Sequence, residues 1–431
     1  MSTQSPPGRA LHAGPTSPRG GEGKYDALIV GGRAAGGSLA LLLAQQGRKV
    51  LVADRDEFPS DTMSTHFMNL AAVGSLKRLG VLEDILAAGF RRVTRHRSWI
   101  GDCCFEGPAG PPGTFSLCPR RVVLDSVVMD HAVKAGAHFE HRTRVEGLIR
   151  DGDDVEGAVL QTAGGERREV RARIVIGADG RSSKVAEWVG AEHYDAVPAL
   201  RPAYYGYFHG IEPRPEPTLE LMFGGDQIGF LFPMREGEDC VAIEMQPEDF
   251  EEFRTDHAAA FDARLGRLPE MARRMKSAHL EGKIMGVKGI DNYFRKPYGP
   301  GWALAGDAGY LKDPSTGSGI GDAVDVSFML AKALGEWLDG AEWEATMSAF
   351  QQKRDEVMKP MYAGTLAFTR MRDVGTAEEA LLKAIFMSPG TIRGLAYTML
   401  ASLPTLMSPV EHGQTQFIGK MFAPAPEATE S

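Results

Sequence analysis

The sequence predicts an α/β protein in which a parallel-sheet domain carries an inserted antiparallel sheet and ends in helices. Three stretches support this. From Tyr25 to Asp54 the apolar run Ala27–Val30 enters a glycine-rich turn at Gly31–Gly37, helix formers follow from Ser38 to Gln46, and a second apolar run, Val50–Ala53, ends on Asp54; this is a βαβ unit. From about Pro198 the texture changes to aromatic strands, Tyr204–His209, Leu219–Phe223, Gly229–Pro233 and Val241–Glu244. The chain then returns to the first domain through the short apolar strand Trp302–Ala305 and a second glycine-rich segment. That segment opens a helix whose apolar positions Val324, Phe328, Ala331, Leu334 and Leu338 recur at helical spacing.

The βαβ unit carries the first chemical signal. A glycine turn lets the backbone approach a pyrophosphate at the positive end of a helix, and an acid closing the second strand accepts ribose hydroxyls. Asp54 lies 23 residues after Gly31, near the spacing of about 20 expected of such units. Where Gly-x-Gly-x-x-Gly is usual, the key positions are Gly31, Arg33 and Gly36. The Arg33 side chain either crowds the pyrophosphate or swings out and pairs with it.

The whole chain narrows the class. Its 431 residues allow two or three domains, and a 43% hydrophobic composition is that of an ordinary soluble globular chain. A net charge of −9 argues against a nucleic-acid partner. Cys103, Cys104, Cys118 and Cys240 show no paired CxxC spacing, so neither a metal site nor a disulfide framework is expected, and a cytoplasmic location is the default. Residues 1–24 lack the apolar core of a secretory signal and read as a disordered tail. No stretch reaches the roughly 18 apolar residues of a membrane span. The nearest, Leu395–Val410, is interrupted by Pro404 and Pro409 and reads as core or as the wall of an apolar site.

In order, the polar stretch Arg55–Thr62 and then Met63–Phe67 follow the ribose-binding strand and are placed for cofactor contacts. Ala71–Leu79 and Val81–Ala88 read as helices, and the basic run Arg91–Arg97 as a solvated face. Leu124–Ala135 is a helix preceded by Arg120 and Arg121, cations at the end where the helix dipole favours an anion. Val145–Ile149, Val155–Gln161 and Arg167–Val170 form a meander. Ala172–Gly177 is a separate buried strand ending at Asp179-Gly180, where open α/β sheets bind ligands. Pro247–Ser277 and the tail from Glu342 are helical, with Met387, Met399 and Met407 as core fillers. Gly306-Asp307, followed by Pro314, Gly317, Gly319 and Ile320, is the second strong signal: a strand-end carboxylate and a glycine-rich helix start that stabilises negative charge.

The glycine turn, Asp179-Gly180 and Gly306-Asp307, in that order over residues 25–340, resemble the FAD-dependent monooxygenases of the p-hydroxybenzoate hydroxylase type. The wider group also holds geranylgeranyl reductases and flavin-dependent halogenases. The resemblance implies a Rossmann-like FAD-binding domain over 25–196 and 283–345, an antiparallel substrate domain over 197–282, and C-terminal helices and tail over 346–431. It implies FAD as cofactor, NADPH or NADH as reductant, molecular oxygen and a small-molecule substrate, with oxygen transfer through a flavin hydroperoxide. Gly31, Gly32, Arg33, Ala35 and Gly36 would hold the pyrophosphate, Asp54 and Arg55 the adenosine end, Arg121 would clamp the cofactor, and Asp307 with Gly306 would meet the ribitol or pyrophosphate. Pro314, Gly317, Gly319 and Ile320 would lie beside the isoalloxazine, and Asp179 at the sheet edge. Phe58–Thr62 and Ser64-Thr65-His66 resemble a loop that covers the flavin in a subset with Arg in the glycine turn, and His66 is the candidate catalytic group there. Two departures matter. The arginine expected after Asp-Gly falls on Ala186, and the halogenase WxWxIP stretch corresponds to Ile228, Phe230, Phe232 and Pro233, which disfavours halogenation. The competing activity within the group is reduction of a carbon-carbon double bond, and from another class, flavin binding without turnover.

Overall fold

β1 (Tyr25–Val30) is the centre of the molecule because it is apolar on both faces, as a strand covered on both sides must be. The structure is a computed structural model that describes residues 24–64, 66–100, 103–224 and 226–370. After β1 come α1 (Ala34–Gln45), β2 (Val50–Ala53), α2 (Leu70–Leu79), α3 (Leu82–Ala87), β3 (Arg95–Ile100), β4 (Cys103–Pro108) and α4 (Arg121–Lys134). Next are β5 (His138–Glu140), β6 (Thr143–Asp151), β7 (Asp154–Thr162), β8 (Arg167–Gly177), α5 (Lys184–Trp188), β9 (His193–Val197), β10 (Ala203–His209), β11 (Thr218–Gly224), β12 (Gln227–Arg235) and β13 (Glu238–Met245). The chain closes with α6 (His257–Leu265), α7 (Pro269–Arg274), β14 (His279–Val287), β15 (Asn292–Arg295), β16 (Tyr298–Gly299), β17 (Trp302–Leu304), β18 (Tyr310–Leu311), α8 (Gly319–Leu338) and α9 (Trp343–Arg370).

Among the described residues the strands form three sheets. The base sheet has the order β16-β17-β8-β1-β2-β5, with the β6–β7 hairpin joined to β8. β1 pairs in parallel with β2 and β8, and β17 with β8. The roof sheet runs β14-β10-β13-β12-β11-β3-β4, and a small sheet, β18-β15-β9, braces the side. Helices α1, α4 and α8 cover one face of the base, where the buried side chains of α1 continue into a core shared with the inner face of the roof. Burying each of Leu39, Leu41 and Leu43 contributes roughly 1.5–3 kcal/mol. This explains how a helix holding Gly36 and Gly37 near its start is kept.

Several elements depart from the sequence reading. The third meander strand and the strand before Asp179 are one element: β8 pairs antiparallel with β7 over Arg167–Arg171 and parallel with β1 over Ala172–Gly177. The basic run is not a plain solvated face. Arg95 and Arg97 lie on β3, which pairs in parallel with β11 in the roof, and both grip Glu106 of β4, Arg95 Nε at 2.5 Å from Oε1. Residues 95–108 and β14 therefore build the roof although the former fall within 25–196 and most of the latter beyond 282. Pro247–Ser277 is broken into two short α-helices and two 3-10 segments. The expected features at residues 1–23, Thr65, Leu395–Val410 and the three tail methionines lie outside the described residues.

Candidate cofactor and substrate site

A cavity of about 840 Å³ runs between base and roof. At one end it is floored by the turn after β1. Gly31 has φ +100°, and a Cβ there would lie 2.5 Å from the Ala178 carbonyl oxygen, so only glycine fits. A Cβ on Gly36 would meet the Gly31 carbonyl oxygen at 1.8 Å: this glycine lets α1 start directly against the turn. Among the described residues no side chain caps α1, whose N-cap is Arg33, so its first N–H groups stay available to a ligand oxygen.

Asp54 closes β2 with both carboxylate oxygens in use. Oδ2 accepts from the Gly32 N–H at 2.7 Å and Oδ1 from the Asp56 N–H at 2.9 Å, which fixes the carboxylate while leaving lone pairs for hydroxyls. Arg33 neither crowds the turn nor stands free to pair with a pyrophosphate. Its guanidinium donates to the Asp56 carboxylate at 3.1 Å, the Ser60 carbonyl at 3.0 Å and the Ser60 hydroxyl at 3.1 Å, and lies 3.4 Å from Asp125. It thus ties the 55–62 loop to the glycine turn. That loop lines the cavity with Arg55, Asp56 and Thr62, and Met63 and Ser64 continue the wall.

Arg121 stands at the first turn of α4 and reaches the cavity. Asp125, one helical turn on and 1% exposed, grips it at 3.0 Å. Burial opposes the charge on Arg121, and Asp125, then Asp307 and Asp61, more than restore it, so its pKa is raised. Sequence reading missed Asp125, although its i,i+4 spacing from Arg121 was a signal.

Gly306 and Asp307 bring the second signal to the first. Gly306 has φ +58°, and a Cβ on it would meet Ala35 Cβ at 2.7 Å, so the two motifs touch. Asp307 lines the cavity, and burial pushes its carboxyl up to about 6 while Arg121 pulls it down. Beyond it Lys312 and Asp322 pair at 2.6 Å, and Pro314, Gly317, Gly319 and Ile320 form the wall. Gly317 at φ +62° presses on Phe67, where a Cβ would meet the ring at 2.7 Å. α8 likewise begins without a side-chain cap. Two uncapped helix starts, a glycine cradle with no room for Cβ, an acid at the end of β2 and a half-buried arginine fit FAD.

Of the sequence-assigned cofactor residues, Gly31, Arg33, Ala35, Asp54, Arg55, Arg121, Asp179, Gly306, Asp307, Pro314, Gly317, Gly319 and Ile320 all line this cavity. Gly32 and Gly36 lie just behind the turn, acting through its geometry. Asp179 also accepts from the Ser183 hydroxyl at 2.5 Å and the Lys184 N–H at 2.7 Å, at the start of α5, whose N-cap is Ser183. Ala186 is buried in the core beneath the base sheet, so no side chain from that position reaches the cavity. His66 stands apart from the other assigned residues. It is fully buried, sits at φ +58°, and is not among the lining residues. Its Nδ1 lies 3.3 Å from the Pro119 carbonyl oxygen and its Nε2 lies 2.9 Å from the Tyr207 hydroxyl, which itself donates to Asp61 at 3.1 Å. Burial drives its pKa down to about 4, leaving a neutral ring that holds the loop.

The other end of the cavity lies beneath the roof. Its inner face follows the two-residue period of a strand: Leu219 and Leu221 from β11, Phe230 and Phe232 from β12, and Tyr205 and Ala242 from β10 and β13 line the space. Phe230 and Phe232 are stacked at 5.7 Å. The alternate residues Met222, Leu231, Val241, Ile243 and Met245 pack with α6 and α7 on the outer face.

A dinucleotide cradle with an apolar chamber above its far end defines the class of FAD-dependent oxidoreductases. The chain belongs to the family described as the FAD binding domain, whose model matches residues 24–365. It is similar to the digeranylgeranylglycerophospholipid reductase of Methanosarcina acetivorans, 27% identical over 335 residues that cover 74% of this chain and 77% of the reductase. It is also similar to the rifampicin monooxygenase of Streptomyces venezuelae, 23% identical over 385 residues, covering 83% of this chain and 74% of that protein. Among solved structures it shares its fold with a flavin-dependent brominase, with a TM-score of 0.76 at 20% identity over 88% of this chain and 94% of that one. Among the described residues no helix is long and apolar enough to cross a membrane.

Proposed function

We propose that the protein is a single-component FAD-dependent monooxygenase of the cytoplasm. It takes reducing equivalents from NADPH or NADH and uses molecular oxygen to hydroxylate or otherwise oxygenate a mainly apolar or aromatic small molecule of secondary metabolism. The observation that carries this reading is the continuity of the cavity: the cofactor cradle opens directly into a chamber walled by Leu219, Leu221, Phe230 and Phe232. FAD, when bound, supplies hydride acceptance and oxygen activation. The chain's own residues bind, orient and exclude water. The uncapped start of α8 presents N–H groups to negative charge, Asp54 and Arg121 hold the cofactor's polar parts, and the paired phenylalanines keep the chamber dry.

The test is turnover of candidate phenols and polyketide-like aromatics with NADPH or NADH under ¹⁸O₂. A product carrying one labelled oxygen supports the proposal. A second reading, reduction of a carbon-carbon double bond, is favoured by the 27% identity to the reductase, and Gly229-Phe230-Leu231-Phe232-Pro233 suits both readings equally. Anaerobic turnover giving a product heavier by two hydrogens, with no label from ¹⁸O₂, replaces the first reading by the second. Halogenation is not proposed, since Ile228 and Phe230 stand where the halogenase tryptophans belong.

A further inference from the structure

One carboxyl group breaks the largely apolar inner face of the roof. On β13 the residues alternate, so Ala242 and Glu244 face the cavity while Val241, Ile243 and Met245 pack outward. Glu244 is 3% exposed, and among the described residues its Oε2 has no hydrogen-bond partner. Of the residues lining the cavity it is the roof's one carboxyl group. Native chains rarely leave a buried polar atom unpaired, and a ligand that pairs it recovers the cost.

Two charged groups act on it. Asp313, beside Pro314, lines the same cavity and accepts from the Ser315 N–H at 3.0 Å. Arg201, 5% exposed, donates its Nε to the Thr369 carbonyl at 2.7 Å. Burial and then Asp313 push the Glu244 carboxyl well above its ordinary range, against the weaker pull of Arg201. The group is then a hydrogen-bond donor as well as an acceptor. The neighbouring cation, Lys312, lies 2.6 Å from the Asp322 carboxylate, which offsets its charge.

We propose that Glu244 is the polar anchor of the substrate chamber, donating a hydrogen bond to a carbonyl or phenolic oxygen of a neutral, otherwise apolar substrate. This rests on the chamber being the substrate site, as read above. The experiment uses the full chain loaded with FAD and three probes of matched size, acetophenone, benzoate and benzylamine, titrated against the flavin's visible absorbance band. It is run on the wild type, Glu244→Gln, which keeps a donor, and Glu244→Leu, which does not. Acetophenone is expected to bind at least about tenfold tighter than either charged probe. Its Kd is expected to rise about tenfold in Glu244→Leu, about 1.4 kcal/mol, and less than about threefold in Glu244→Gln. The flavin-to-protein absorbance ratio reports that each variant still holds its cofactor. If Glu244→Leu loses it, the wild-type ranking and Glu244→Gln decide. Tightest binding of benzylamine, lost in Glu244→Gln, would mean an ionised anchor and overturn the proposal. Tightest binding of benzoate, an unchanged acetophenone Kd in Glu244→Leu, or no probe shifting the band would also overturn it. Oxygen use is not read, so a failed monooxygenase assay leaves this outcome standing.

Discussion

Replacing Gly36 by alanine sets two known effects against each other. Gly36 lies within the first turn of α1, where alanine is worth about 1 kcal/mol over glycine. The added Cβ would sit 1.8 Å from the Gly31 carbonyl oxygen and 3.0 Å from its carbon, with Ala178 Cβ at 3.2 Å behind. Carbon and oxygen approach normally to about 3.3 Å, so the turn must retreat by about 1.5 Å. The obstructing atom is backbone and cannot rotate aside. Overpacking of this kind costs about 1–3 kcal/mol and outweighs the helix gain. We therefore expect Gly36→Ala to lower the stability of the FAD-free chain by about 1 kcal/mol and to weaken FAD binding at least about tenfold, because the displaced N–H groups are those aimed at the ligand. Gly74→Ala is the control: it lies in α2, exposed, with nothing within 4 Å of the new Cβ, and should stabilise by up to about 1 kcal/mol. Urea unfolding and fluorimetric FAD titration read both. Equal stabilisation by the two substitutions, with FAD affinity intact, would refute the close-approach argument.

Asp125→Asn removes the buried carboxylate shared by Arg33 and Arg121; it should cost about 3 kcal/mol in the FAD-free chain, and less with saturating FAD, whose phosphates can take up the released guanidinium. Urea unfolding with and without FAD checks this, and an equal loss in both would place Arg121 away from the cofactor. Asp307 gives a pH signature. Folding raises its carboxyl from 3.8 to about 6, so the folded chain keeps this proton to higher pH than the unfolded chain. Its contribution to stability therefore falls as pH rises from about 4 to about 6, and above that it is unfavourable by about 3 kcal/mol. Asp307→Asn should stabilise the FAD-free chain at about pH 7.5 and lose that advantage towards pH 4; a constant difference across the range would refute the assignment.

The cofactor end of the site was legible because its requirements are local. Gly31 and Gly36 stand close in sequence to the helix whose start they open, and the Asp54 spacing is set by one βαβ unit. The partners of those residues were not. Arg33 drew attention as an anomaly, but its role depends on Asp125, 92 residues on, and on a loop whose path only the fold supplies. The sequence offered no reason to join Arg167–Val170 to Ala172–Gly177, because a strand exposed to two partners changes its burial pattern midway, from alternating to fully buried. His66 drew attention as a polar loop residue beside the cofactor motifs; that its ring is buried 3.3 Å from the Pro119 carbonyl oxygen, 53 residues on, depends on the fold. Glu244 closes an apolar strand, and its parity with Ala242 was the signal that it points inward.

The roof is sewn from separated pieces of chain. β3 and β4 come from residues 95–108, and β9 leads into β10–β14 only after the base has been threaded through β5–β8. A chimera that exchanged residues 197–282 with a relative would leave the host's β3 and β4 to pair with a foreign β11, along a register that runs from Thr218↔Arg95 to Phe223↔Ile100. It would also cut β14 between Gly282 and Lys283. The roof in this architecture is thus inherited as two distant cassettes that must travel together, and its exchange between homologues is constrained at the β3–β11 seam.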